Sequence, residues 1–510
     1  MSDSRKYRTG FEMNIHQAGK DKAANHEIND RQEIQGASDD PFFIAILGDF
    51  SGRDNSQNYD VNGIAKRRFI EIDRDNLDEV LAGFDINLQL WLDDDAEEPI
   101  EIPIRELDDF HPDQLFENVE IFAQLRSLHR RLKNNKTFAE AAAELQQWSG
   151  FETKDTKKGS EVSSDVSSIN ILDSILATSQ ENPHSQNRDT GSELVDKLLK
   201  QIVAPYIEPR SDPRQDEMVA AVEQAIAAHM QFILHHPDFQ AMEASWRSLA
   251  FMIRRIETGR KLKLFILDAA SHEIEVDLSD DNITQTGLYR RFCDPAPGDV
   301  PWGLIVGNYQ YTDRVEDIMT LLQMGAVARK ARALFITGAR ETLVGCESFA
   351  VTPDVDDWNY QLEPEVQTAW SLLRDSDEAE YLSMVVPGFL LRVPYGQKSK
   401  PIESFAFEEM PEVHCHSCYL WGNGAFIKAE QLARAFSHSG WDMNPADAHQ
   451  IERLPLHFYI EEGEQTAKPC AEVQLTEQGG RRVLQQGLIP LWSVKNKDSI
   501  RSGDFHSLAV

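Results

Sequence analysis

The densest group of metal-ligand residue types in this sequence is His414-Cys415-His416-Ser417-Cys418. A structural zinc site needs four ligands in a tetrahedral array, usually from two separated pairs. Cys470 and His457 are the nearby candidates for a second pair, and adjacent side chains of an extended segment point to opposite faces. The cluster therefore reads as a loop carrying a core cysteine. Gly48-Asp49-Phe50-Ser51-Gly52-Arg53 follows an apolar run and invites comparison with a phosphate-binding loop. That pattern puts four residues between its glycines, then Lys and Ser or Thr. Here three residues intervene and Arg follows, so a structured turn is expected. Asp93, Asp94, Asp95, Glu97 and Glu98 lack the spacing and glycine of a calcium loop and read as a solvated hairpin loop. His235 and His236 stand before Pro237 at a helix end, where a cation complements the helix dipole, so capping is expected. With no Gly-x-Ser-x-Gly and no His-Glu-x-x-His, the sequence predicts no catalytic, cofactor-binding or metal residues.

The elements that must position these residues belong to a chain of 510 residues, long enough for about three domains. Its net charge of −34 opposes binding to nucleic-acid phosphates or an anionic membrane. The polar start, Met1 to Gly10, lacks an apolar leader, and no window approaches a membrane span. Five cysteines in a chain of this size fit a reducing cytoplasm better than a disulfide framework.

Phe11, Met13 and Ile15 alternate with polar residues, the period of a half-buried strand. Lying in a polar arm over 1–40, that strand has no local partner and must pair with something distant or with another chain. Residues 41–150 read as a compact α/β unit. It has a buried strand over Pro41–Leu47, strands over Phe84–Leu92 and Ile100–Ile104, a helix from Pro112 with Leu115 to Leu132 on one face, and a second over Phe138–Trp148. A linker occupies 151–193, with a short amphipathic segment at Ile169–Leu176. From 194 to 510, helical faces at Leu194–Ile202, Pro213–His235 and Phe239–Ile253 precede a βαβ-like core. Its strands lie at Leu262–Leu267, Trp302–Val306 and Ala333–Ile336, with a helix at Val315–Arg332 and a last strand over Gly487–Val494. The predicted fold class is mixed α/β.

Two stretches resemble known families. Phe11 to His16, Pro41 to Arg53 with Gly48, Asp49 and Phe50, Leu107-Asp108-Asp109-Phe110-His111-Pro112, and Leu125-Arg126-Ser127-Leu128 resemble the small subunit of the type VI secretion sheath, the TssB family. His235 to Leu249, with Phe239, Trp246 and Arg247, resembles the large subunit, the TssC family. Further matches to that subunit are Gly303 to Tyr309, Trp370 with Leu373-Arg374, Pro387 to Arg392, Val393-Pro394-Tyr395-Gly396, Phe405 to Glu409, Tyr419 to Asn423 with Trp421, Leu454-Pro455-Leu456, and Gly487 to Leu491. The chain departs from that family at Ala446–Arg453, where a glycine-rich turn is usual, and between Gln285 and Pro301.

The resemblance implies a non-enzymatic cytoplasmic subunit that polymerises with copies of itself into a helical tube and contracts. It implies the sheath fold of contractile injection systems. Strands would be exchanged between neighbours, through Phe11, Met13 and Ile15 at one end and Leu488, Ile489 and Leu491 at the other. It implies a hexameric inner-tube protein and baseplate proteins as partners. A disassembly AAA+ ATPase joins them where it docks on the segment that Ile169–Leu176 resembles. The alternative is a non-polymerising cap, adaptor or baseplate scaffold of the same system.

Overall fold

The computed structural model describes residues 40–91, 98–149, 214–280, 282–293, 302–350, 352, 354–410, 415–445, 449–461 and 463–510. Phe11, Met13, Ile15, the segment Ile169–Leu176, the face Leu194–Ile202, Asp93 to Glu97 and His414 lie outside them. The chain divides into two compact units, one within 1–111, 234–401 and 408–510, the other within 112–233 and 402–407.

The strands, in chain order, are β1 Phe42–Gly48, β2 Ile70–Ile72, β3 Ile86–Leu90, β4 Ile100–Ile104, β5 Leu262–Asp268, β6 Trp302–Tyr311, β7 Leu334–Ala339 and β8 Leu382–Val386. They continue as β9 Phe389–Leu390, β10 Trp421–Gly422, β11 Gln450–Ile451, β12 Phe458–Glu461, β13 Glu464–Ala467, β14 Ile489–Ser493 and β15 Ile500–Ser502. The helices used below are α1 Pro112–Asn118, α2 Ile121–Lys133, α3 Phe138–Ser149, α4 Gln215–His235, α5 Pro237–Arg255, α6 Val315–Ala331, α7 Pro364–Arg374, α8 Ala425–Ser439 and α9 Glu477–Gln485.

The first unit is built on a nine-stranded sheet ordered β11-β15-β14-β8-β7-β6-β1-β5-β2. From β14 to β5 the neighbours are parallel; β2, β15 and β11 add antiparallel. A central parallel strand is covered on both faces and must be apolar throughout. Phe-Phe-Ile-Ala-Ile-Leu-Gly meets that demand, and all seven residues of β1 are buried. On one face Phe43 meets Phe265 and Trp302 edge-on, with ring centres 5.3 Å and 6.4 Å away. On the other, Phe42 stacks on Phe436 of α8 at 4.9 Å. β6 comes so close that a Cβ on Gly303 would sit 2.4 Å from the Phe42 ring. The predicted strand at Trp302–Val306 runs on to Tyr311, through a register shift after Gly307. β3 and β4 pair antiparallel, Leu90 against Ile100, with Ile86, Leu88, Leu90, Ile100, Ile102 and Ile104 all inward.

The second unit is helical. The one helical face predicted from Leu115 to Leu132 is divided between α1 and α2. Arg126 accounts for the break locally: its Nη1 donates to the carbonyls of Phe116 and Glu117, ending α1. α2 turns Phe122, Leu125, Leu128 and Leu132 inward, and Gln215 of α4 donates to Leu132 O at 2.7 Å.

The stretch 41–150 is thus shared. Its strands belong to the first unit and α1 to α3 to the second. β1 by itself satisfies only its own side-chain pattern; its backbone groups are paired by β5 and β6, more than 200 residues on.

Candidate functional site

Two clusters of charge in the first unit stand near helix α5. The first follows β1. Gly52 adopts φ 77°, a left-handed conformation open to glycine, and reverses the chain there. Asp49 secures the turn, accepting from the backbone N–H of Gly52 at 2.7 Å, Arg53 at 2.9 Å and Asp54 at 2.8 Å. Burial nevertheless pushes the Asp49 carboxyl above its ordinary value, against those three donors. Asp268, at the end of β5, accepts from Phe50 N at 2.8 Å, Ser51 Oγ at 2.8 Å and Arg53 Nε at 2.7 Å. Glu273 binds Arg67 through both oxygens, at 2.5 Å and 2.8 Å, and accepts from Ala270 N at 3.0 Å. The structured turn expected at Gly48–Arg53 is therefore a seam: residues 49–67 are tied by ionic hydrogen bonds to residues 268–273.

The second cluster is buried. Glu243 of α5 meets Arg392 Nε at 2.8 Å and Arg247 Nε at 2.6 Å. Glu409 receives Arg392 Nη1 at 2.8 Å and Nη2 at 2.9 Å, and the Tyr395 N–H at 2.7 Å. Glu243 and Glu409 are 0% exposed and Arg392 6%. Burial works against the charge on Glu243, but the Arg392 and Arg247 guanidiniums hold its carboxyl below the usual range. Burial also opposes the charge on Arg392, and Glu243 and Glu409 override it, so Arg392 stays a cation. The Arg392 guanidinium lies 4.6 Å from the centre of the Tyr395 ring, and Lys400 Nζ 4.8 Å from it.

α5 packs against the turn of the first cluster and supplies Glu243 and Arg247 to the second. Phe239 packs edge-on to Phe110 at 5.6 Å. Trp246 meets Phe50 at 5.5 Å, and its indole N–H donates to Phe50 O at 3.1 Å. Glu243 and Arg247, four apart, form an ionic stripe beside these rings. The structure therefore brings together Phe50, Phe239, Trp246, Arg247 and Tyr395. Pro394 O accepts from Ser399 Oγ at 2.6 Å, in the turn where a Cβ on Gly396 would strike Glu408. Trp421 stands in β10, stacked on His416 at 5.2 Å. Gly48 ends β1, its N-terminal neighbours held between β5 and β6.

Leu488, Ile489 and Leu491 are 0% exposed. Ile489 pairs with Val385 of β8 and Leu491 with Ser502 of β15, both of the same chain. The histidine pair does cap a helix, but through a neutral His236 at the N-terminus of α5 and not through a cation. His236 accepts from Asp238 N at 3.3 Å at the start of α5, which requires a neutral ring nitrogen, and burial lowers the pKa of both His235 and His236. The cysteines expected to form no disulfide framework include one local pair, Cys415 and Cys418, bonded to each other, while Cys293, Cys346 and Cys470 are free. A pair three apart in a tight turn needs no framework to meet, and the spacing alone was a signal for it. A cavity of about 460 Å³ lined by Tyr360, Trp370, Arg374 and Arg482 shares no residue with either cluster. No described helix is long and apolar enough to cross a membrane.

Glu243, Glu409, Asp268, Glu273 and Arg67 were not marked as site residues by sequence reasoning. In a chain with 85 acidic residues a carboxylate carries no signal until its partner is known.

The seam joins two regions that match two family models. One, type VI secretion system VipA, matches residues 26–159. The other, VipB, described as the tail sheath N-terminal domain, matches residues 216–507. Among curated proteins, the type VI secretion system sheath protein TssC1 of Pseudomonas aeruginosa is 28% identical over 293 residues, 56% of this chain. The match takes in 59% of that relative's own length. Fold and matches together define a component of the type VI secretion sheath. The chain belongs to the VipB family, and it carries a VipA region ahead of it in the same polypeptide.

Proposed function

We propose that this chain is a self-contained sheath subunit that polymerises into a helical tube around a hexameric inner-tube protein and contracts to drive it. The observation that carries this reading is β1, which lies between β5 and β6. The building block that separate small and large subunits would assemble is here folded from one chain. Fusion sets the ratio of the two parts at one to one and raises the effective concentration of each for the other.

Heterologous contacts that do not close on themselves generate helical filaments from one subunit type. The arm carrying Phe11, Met13 and Ile15 would add as a strand to a neighbour, holding main-chain hydrogen bonds while rings rotate. Leu488, Ile489 and Leu491 would serve that joint from inside the sheet, where β14 lies between β8 and β15. Baseplate proteins would nucleate the tube, and an AAA+ ATPase would disassemble it through the segment at Ile169–Leu176. The proposed role needs no hydrolysis by the chain itself and sets it in the cytoplasm.

Electron microscopy of the purified chain, alone and with its inner-tube protein, tests this. Long hollow tubes are expected. Deleting residues 1–20 should leave the chain folded and abolish the tubes. Discrete small oligomers in both samples would instead make the chain a cap, adaptor or baseplate scaffold.

A further inference from the structure

The Cys415–Cys418 pair has no part in the sheath reading. Its two sulfurs have unequal surroundings. Cys415 is half-buried with its Sγ 3.6 Å from Ser417 Oγ at the surface, while Cys418 is only 5% exposed. Cys346 and Cys470, in contrast, are sealed in the core at 0%.

The turn holding the pair is braced by contacts other than the disulfide. Gln240 Nε2 donates to Ser417 O at 2.9 Å, and Trp421 Nε1 to His416 O at 3.1 Å. The His416 ring stacks on Trp421, and its Nε2 lies 3.4 Å from Glu472 Oε1. The bond can therefore open without the turn being lost.

We propose that Cys415–Cys418 is a thiol–disulfide exchange site for a small monothiol of the glutathione class. The incoming thiolate forms a bond to Cys415 Sγ, the approachable sulfur. The Cys415–Cys418 bond breaks, and its electron pair leaves on Cys418 Sγ, which takes a proton from water. A second thiolate attacks the incoming sulfur, releasing Cys415 as a thiolate and a small disulfide. Two small thiols are oxidised and the protein disulfide is reduced; the reverse sequence closes it. Cys418, three residues away, is the resolving thiol, and its proximity keeps the mixed disulfide short-lived.

The test equilibrates the full chain in glutathione buffers from fully reduced to fully oxidised, quenches with acid, alkylates, and weighs the peptide containing 415–418. Both thiols should appear together over one reversible transition, two alkyl groups per peptide when reduced and none when oxidised. Cys418→Ser should accumulate a glutathione adduct on Cys415. Cys415→Ser should carry at least tenfold less adduct on Cys418. Circular dichroism checks that each variant folds, and if one does not, the parent's transition decides. Two thiols that alkylate at every buffer ratio, a pair that resists alkylation even when fully reduced, or equal adducts in the two variants would each overturn the proposal.

Discussion

Arg392 has two carboxylates, Glu243 and Glu409, and an aromatic face around it, all from segments of the first unit. Charges in such surroundings are individually expensive to bury and hold only as a complete set. Arg392→Leu leaves two buried carboxylates without their shared cation. It should destabilise the first unit by roughly 3–5 kcal/mol in chemical denaturation of the full chain. Lys428, 1% exposed on α8, has no such partner among the described residues. Its Nζ donates to Ser502 Oγ at 3.1 Å and Gly503 O at 3.0 Å, and burial, only partly opposed by Asp504, lowers its pKa to about 7. The folded value lies below the unfolded one of about 10.4. Between those pH values the unfolded chain binds a proton that the folded chain does not. This group's penalty is therefore absent above about pH 10.4, grows as pH falls, and levels off below about 7. Lys428→Met should melt at a higher temperature than the parent near pH 7, with the difference closing as pH rises towards 10.4. A difference independent of pH would show that Lys428 is charged in the folded chain.

At the scale of elements, helix α5 and strand β1 govern the first unit. α5 begins at Pro237, whose fixed φ suits the first helical turn, and buries Phe239, Met242, Trp246, Leu249 and Ile253 at spacings of three and four. The same helix aims Glu243 and Arg247 at the ionic cluster. Trp246→Ala removes the Phe50 and Phe84 ring contacts and the hydrogen bond to Phe50 O. It should cost about 3–5 kcal/mol and, in hydrogen exchange, loosen residues 50–53 before the distant end of the sheet. These elements were well marked in the sequence. The apolar run of β1, the alternation of β3 and β4 and the helical phase of α5 are local periodicities, and the observed bounds agree within a few residues. The break between α1 and α2 was not marked, because it depends on where the Arg126 side chain finds carbonyl partners.

At the scale of the molecule, a parallel sheet threaded by strands from both family regions makes each half dependent on the other. Residues 1–150 expressed alone would expose β1 with unpaired backbone on both edges; residues 151–510 would leave a gap between β5 and β6. Each fragment should aggregate by itself, and co-expression should give a soluble complex recovered through a tag on either one. Soluble, independently folded fragments would contradict the observed strand order.

Sequence by itself determined the family resemblance, the mixed α/β class, and most strands and helices, since each rests on residue types and short spacings. Only the tertiary structure decided that β1 inserts into the sheet of the large-subunit region, that Asp268 and Glu273 receive Arg53 and Arg67, and that Arg392 shares two carboxylates. It also decided that β14 is paired by its own chain. Hydrogen bonds and ion pairs between residues 149 to 218 apart are set by which backbones meet, and local pattern contains no record of that meeting.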